Sequence, residues 1–182
     1  GSGLIDVVSE LYSCGIINSR GQFIREGERV RRDSEGRGRY ILVDKENSAS
    51  GRDIFLTEVD IDNFIRAKGA IFSAIRTMLS SLSMDVDIIE RVIVAGGIGS
   101  GINMENAVKI GMLPNIPIEK YGYIGNSSLA GSFMSLVSRE AYDQTLEIAR
   151  NMTYLELSVI PGYMEEFVAA CFIPHTDETL FT

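Results

Sequence analysis

With one histidine and two cysteines in 182 residues, this chain holds too few ligands to build a zinc, haem or iron–sulfur site of its own. Cys14 and Cys171 are far apart and follow no spacing pattern, so they read as small buried residues of a reducing compartment and not as a disulfide frame. Positive charge is in deficit. Seventeen Lys and Arg against 25 Asp and Glu leave a net charge of −8. That balance argues against a general surface for nucleic acid or for an anionic membrane. No apolar run reaches the roughly 18 residues that a spanning helix needs. The opening segment carries Asp6 and Glu10 and has no basic start, so it is not a secretory signal. A cytoplasmic protein, with neither membrane nor nucleic acid as partner, is the expectation. No Ser–His–Asp set, metal-ligand spacing or pair of glycosidase-like carboxylates can be picked out. The lone His175, between a proline and a threonine, reads as a structural hydrogen-bonding residue and not as a base.

What remains is ample apolar material, 45% of residues, enough for a core. The length suits one domain over 1–182, or one lobe of a larger one. Leu4, Ile5, Val7, Val8, Leu11 and Tyr12 keep helical spacing, with Gly15 as a helix stop. Residues 18–53 form the least regular part, a loop-rich insertion. Arg25, Arg29, Arg31, Arg32, Arg37 and Arg39 alternate there with acids, which favours a solvated salt-bridged loop over an anion patch. A strand is expected at 40–44 and a short one at 54–56. Thr57 and Asp60 have the spacing of a capping box. A long helix follows, with a stripe of Ile61, Phe64, Ile65, Lys68, Ile71, Phe72, Ile75, Met78, Leu79 and Leu82. Further helices are expected at 104–110, after Gly125, at Arg139–Asn151 and at 161–172. Strands are expected at 92–95, 121–124 and 154–157.

The chemistry-bearing segment is the glycine cluster Gly96, Gly97, Gly99 and Gly101, placed between the strand at 92–95 and a helix that starts near Asn103. Glycine lets backbone approach a ligand closely, and a helix start offers unpaired N–H groups. Strand, glycine turn and helix together are how α/β proteins hold a nucleotide at the carboxyl end of a sheet. The cluster is not a dinucleotide fingerprint. Counted from Gly97 and Gly99 the third glycine position holds Ile102, and counted from Gly99 and Gly101 it holds Met104. Nor is it a P-loop, because no lysine lies between Arg91 and Lys109. A tight strand-to-helix connection without a ligand is the plain alternative. A second small-residue turn, from Gly125 and Asn126 to Ser132, comes about 30 residues later and either lines the same cleft or serves helix packing. Lys68, on or beside the apolar stripe, is either a lysine with a covered stem or one that faces the nucleotide.

Seven segments in order, nearly spanning the chain, resemble the C-terminal part of the reductive activators of corrinoid proteins. They are Gly1-Ser-Gly-Leu-Ile-Asp6, Phe55-Leu-Thr-x-x-Asp-Ile61, Ala67-Lys-x-Ala-Ile71, Ala95-Gly-Gly-Ile-Gly-Ser100, Gly111-Met-Leu-Pro114, Gly125-Asn-Ser-Ser-Leu-Ala-Gly131 and Phe172-Ile-Pro-His-Thr-Asp177. The resemblance implies an α/β fold, one lobe of an actin-like (ribonuclease H-like) ATPase with a mixed sheet flanked by helices. It implies ATP with Mg²⁺ as cofactor and a corrinoid protein of a methyltransferase system as partner, with a homodimer as a further possibility. ATP would drive an electron from an iron–sulfur cluster elsewhere in the polypeptide into cob(II)alamin, returning it to cob(I)alamin. Carried onto this sequence, the resemblance makes Gly96, Gly97, Gly99 and Ser100 the adenosine motif, Lys68 the side chain on the adenine side and Asn126 a weaker contact. It names no catalytic base. The family's phosphate-gripping hairpins and its cysteine-rich part are absent here, so the chain is expected to be a piece of a longer protein, with little or no ATP hydrolysis alone. Gly1 and Ser2 are also what a cloning scar leaves. The rival readings are another ATPase or kinase of the same fold, such as a sugar kinase or dehydratase activator, and a non-catalytic docking or dimerisation module.

Overall fold

A computed structural model describes residues 2–97 and 99–182, with the side chain of Ser100 outside that description. Thr57 starts its longest element. The Thr57 side chain accepts from the Asp60 N–H, and the Asp60 carboxylate accepts from the Thr57 N–H at 2.9 Å, closing the capping box read from sequence. Helix α2 (Glu58–Ser81) runs from there, with Ile61, Ile65, Lys68 and Phe72 buried at alternating steps of four and three. It follows helix α1 (Gly3–Ser13) and a three-stranded antiparallel sheet in the order β1 (Val30–Arg32), β2 (Gly38–Val43), β3 (Ile54–Thr57).

The segment 18–53 is therefore better ordered than its composition suggests. Asp33 organises the β1–β2 turn by accepting from the N–H groups of Glu35 and Arg37, both at 2.9 Å. Glu58 ties the sheet to α2. Its two carboxylate oxygens accept from Phe23 N–H at 3.0 Å and Gly38 N–H at 3.2 Å. Neither bond is visible in a charge pattern.

The second half holds a parallel pair. Strand β4 (Val92–Val94) crosses over through helix α3 (Met104–Lys109) to strand β5 (Tyr121–Tyr123), with Val92 opposite Tyr121 and Val94 opposite Tyr123. The antiparallel and parallel pairings thus lie in two small sheets. Helices α4 (Ser127–Val137) and α5 (Arg139–Asn151) then form a hairpin about Ser138, whose side chain caps α5. Helix α6 (Tyr163–Ala170) packs on α2 at Gly69, where an added Cβ would stand 3.1 Å from both Ala170 O and Cys171 Sγ. The expected strand at 154–157 is not formed. Residues 157–159 make a 3₁₀ turn instead, because no neighbouring strand offers a ladder.

The core joins α1 (Ile5, Val8, Leu11) to α2 (Ile61, Ile65) and α3 with its following turn (Ala107, Ile110, Leu113), closed by Ile17, Phe23, Leu56 and Ile173. A half-buried polar link adds direction. Ser9 donates to the Asn106 side-chain carbonyl at 3.0 Å, and the Asn106 amide donates to Asp6 at 2.7 Å. Ile71, Met78 and Leu82 of the expected stripe are exposed, because beyond residue 69 the buried face of α2 narrows to Phe72, Ser73, Thr77 and Leu79.

Candidate functional site

Strand β4 ends at the glycine cluster, and the two glycine turns meet there. The Gly96 N–H donates to the Gly125 carbonyl at 2.8 Å, extending the β4–β5 pairing by one bond beyond the strands. The Tyr123 hydroxyl donates to the Gly96 carbonyl at 2.7 Å. Gly96 has φ +113° and Gly125 φ +75°, both in the region that favours glycine. A Cβ added at Gly96, Gly97 or Gly125 would meet no atom within 4 Å. Backbone with nothing above it therefore faces outward at the carboxyl ends of two parallel strands, the usual place for a ligand in an α/β fold.

Asn126 stands at the same edge as the N-cap of α4. Its side-chain oxygen accepts from Leu129 N–H at 3.1 Å, so its amide NH₂ is the group left to donate. The structure thus brings together Gly96, Gly97 and Asn126.

Gly99 has a different role. It is buried, and a Cβ there would lie 2.5 Å from the Tyr123 ring. Its lack of a side chain serves packing under the turn. Ile98 and the Ser100 side chain lie outside the described residues, so the expectation for Ser100 is not placed.

Lys68 is set apart from the turn. It is fully buried on α2, and its ammonium donates to three carbonyls: Pro174 O at 2.6 Å, Gly111 O at 3.4 Å, and Phe172 O. Three acceptors match the three donors of an ammonium. Burial pulls its pKa down to about 7, with the Cys171 sulfur pushing the other way. Lys68 is thus a clasp between α2, the turn after α3 and the C-terminal segment, not a side chain reaching into a cleft. Sequence periodicity puts it on the core face, but the carbonyls it meets come from residues 43 to 106 positions away.

His175 is buried beside it. Its Nδ1 accepts from the Asp177 N–H at 2.9 Å, and its ring lies 5.5 Å from that of Phe72. Glu166 Oε1 is 3.3 Å from His175 Nε2 and 3.3 Å from Arg76 Nε, close contacts without hydrogen-bond alignment at the histidine. Burial lowers the His175 pKa against the pull of Glu166. These contacts hold the C-terminal segment on α2 and α6.

Among the described residues no three His, Cys, Asp or Glu side chains are grouped to hold a metal ion. The outward backbone at Gly96 and Gly97 fits a nucleotide. Among the described residues no carboxylate set for Mg²⁺ accompanies it, and two cysteines cannot hold a four-thiolate cluster.

A family defined as the C-terminal domain of RACo, the ASKHA domain, matches residues 1–182. The chain belongs to that family. Within it, this ASKHA domain superposes over its whole length on a solved reductive activator for a corrinoid,iron-sulfur protein, with a TM-score of 0.93 and 49% identity, covering 29% of that chain. The corrinoid activation enzyme RamQ of Eubacterium limosum is 28% identical over 176 residues, 92% of this chain and 30% of its own length. A [Co(II) methylated amine-specific corrinoid protein] reductase of Methanosarcina barkeri is 28% identical over 103 residues, 57% of this chain and 19% of its own. The domain therefore spans less than a third of the length of these relatives. The actin-like α/β architecture inferred from the seven segments is the one observed. No described helix is long and apolar enough to cross a membrane.

Proposed function

We propose that this ASKHA domain supplies one wall of a nucleotide site in a reductive activator of a corrinoid protein. ATP with Mg²⁺ is the ligand, and return of cob(II)alamin to cob(I)alamin in a methyltransferase system is the outcome. The observation that carries the reading is the pair Gly96–Gly97, outward-facing backbone locked to Gly125 at the ends of parallel strands. Gly96 and Gly97 approach the adenosine and α-phosphate through main chain, and Asn126 donates from the start of α4. Gly99 and Lys68 act behind them, one by admitting the Tyr123 ring and the other by fixing α2 to the chain after α3. The names of the relatives support the corrinoid part. An iron–sulfur cluster, Mg²⁺ ligands and the group that orients the attacking water belong to polypeptide beyond this domain. In this reading the protein acts in the cytoplasm, and its oligomeric state is open.

The test is titration of the natural-length protein with Mg²⁺ and a non-hydrolysable ATP analogue. Saturable binding, together with ATP-dependent reduction of an added cob(II)alamin protein, is expected. Absence of saturable binding ends the nucleotide reading. Hydrolysis by the 182-residue chain alone is expected to be weak or nil, because phosphoryl transfer needs the phosphates clamped from both sides.

A further inference from the structure

A cavity lies away from the glycine turn, between the β1–β2–β3 sheet and the start of α2. It has a volume of about 680 Å³, within the range of small-molecule sites. Its lining is formally balanced, with Arg20, Arg37 and Arg39 against Asp33, Glu58 and Asp62. The bonding is not balanced. Asp33 is engaged by Arg37 at 2.9 Å and by two backbone N–H groups. Asp62 is engaged by Arg66 at 2.9 Å, and Glu58 by the N–H groups of Phe23 and Gly38. Every lining carboxylate thus has its donors. Arg20 and Arg39 have no carboxylate partner among the described residues, and the buried Nε of Arg39 has no acceptor. Arg39 is held with its guanidinium 5.2 Å from the centre of the Phe55 ring, which is itself 43% exposed. The Phe55 ring holds the guanidinium at the cavity wall, and the terminal Nη groups of Arg39 are the donors that an oxyanion in the cavity would meet.

We propose that this cavity is a second ligand site, binding a small organic anion. A carboxylate or phosphate group pairs with Arg39 and Arg20, and an apolar body lies against Phe55. A guanidinium with no carboxylate partner favours an oxyanion over an uncharged ligand of the same shape. Cavity size and the half-open aromatic ring favour a small molecule over a flat protein contact. The site shares no described residue with the glycine turn, so it does not depend on the nucleotide reading.

The test is calorimetric titration of the natural-length protein with benzoate and with phenyl phosphate, using benzyl alcohol as the uncharged control. Saturable binding of at least one anion, but not of the alcohol, is expected, and which anion binds tells carboxylate from phosphate. Arg39→Gln and Arg20→Gln are each expected to weaken it about tenfold or more. Both variants should keep the melting temperature within a few degrees. Phe55→Leu should narrow the difference between benzoate and acetate. Binding that survives both arginine changes, or that Gly97→Val abolishes while Arg39→Gln does not, overturns the proposal. So does the absence of binding by either anion. If in that case the arginine variants instead weaken affinity for a corrinoid protein, the cavity is a protein contact.

Discussion

Replacing Gly97 by valine separates a ligand-facing glycine from one kept for packing. Gly97 is exposed, no atom lies within 4 Å of an added Cβ, and its φ is not in the left-handed region. Folding stability should therefore change by no more than about 0.5 kcal/mol, the usual range for an unencumbered surface position. The two γ-methyls would fill the space that a nucleotide must enter to reach the backbone. Loss of one hydrogen bond to a charged phosphate costs roughly 1.5–3 kcal/mol, or about ten- to 150-fold in Kd. Gly99→Ala is the control. Its Cβ would stand 2.5 Å from the Tyr123 ring and 3.1 Å from Val94, so overpacking should cost about 1–3 kcal/mol. The measurements are urea midpoints and titration with a non-hydrolysable ATP analogue, for both variants. A folded Gly97→Val protein that binds the nucleotide within threefold of the parent refutes the reasoning.

Two further outcomes concern the clasp. Gly111→Ala should unfold or severely destabilise the chain, because its Cβ would stand 2.0 Å from the Pro174 carbonyl, a Lys68 acceptor, at a φ of +72°. A loss of at least about 3 kcal/mol in urea titration is expected, and a loss under 1 kcal/mol contradicts the packing described. The Lys68 pKa, about 7 when folded against 10.5 in the ordinary case, means that the unfolded chain binds more protons from pH 7 upward. Stability should therefore rise with pH across that window, by at most about 1.4 kcal/mol per unit. Cys171 and Tyr12, whose raised pKa values act oppositely at higher pH, confine the comparison to pH 7–8.5. Urea midpoints should rise over that interval in the parent and stay flat in Lys68→Met. Equal slopes would show that Lys68 does not titrate there.

Local rules were legible where the partner is near in sequence. Thr57 and Asp60, Asn103 with its helix, and the strand-to-glycine step at 92–97 all involve contacts within a few residues. The same reasoning put Lys68 on the correct face but could not say what it meets, since its carbonyls come from two remote segments. It also could not rank the glycines. Gly97 and Gly99 look alike in the string, yet one faces open space and the other a tyrosine ring supplied by the next strand. In residues 18–53 the charges do pair on the surface, Arg31 with Asp44 and Asp53 and Arg37 with Asp33 and Glu35, but the sequence did not show strand β1 or the backbone bonds that order the segment. What orders it is Glu58 accepting two backbone bonds and Asp33 accepting two more, and an acid bonded to backbone N–H groups looks no different in sequence from one facing water.

The distribution of burial leads to the last expectation. Helices α4 and α5 bury no residue fully, and Leu129, Phe133, Leu136, Val137 and Ile148 are each more than 60% exposed. The core instead gathers α1, α2 and α3. Each fully buried large apolar side chain contributes about 1.5–3 kcal/mol, so in the 182-residue chain the α4–α5 hairpin should open at far lower cost than α1 or α2. Amide hydrogen exchange should show α4 and α5 exchanging at least tenfold faster than the buried turns of α1 and α2. An ATP analogue that binds as proposed should slow exchange selectively at 96–97 and 125–130, because ordering a loosely held edge is where ligand contacts are felt first. Uniform protection across all six helices would contradict this. Slowing confined to α1 would instead place the ligand away from the glycine turn.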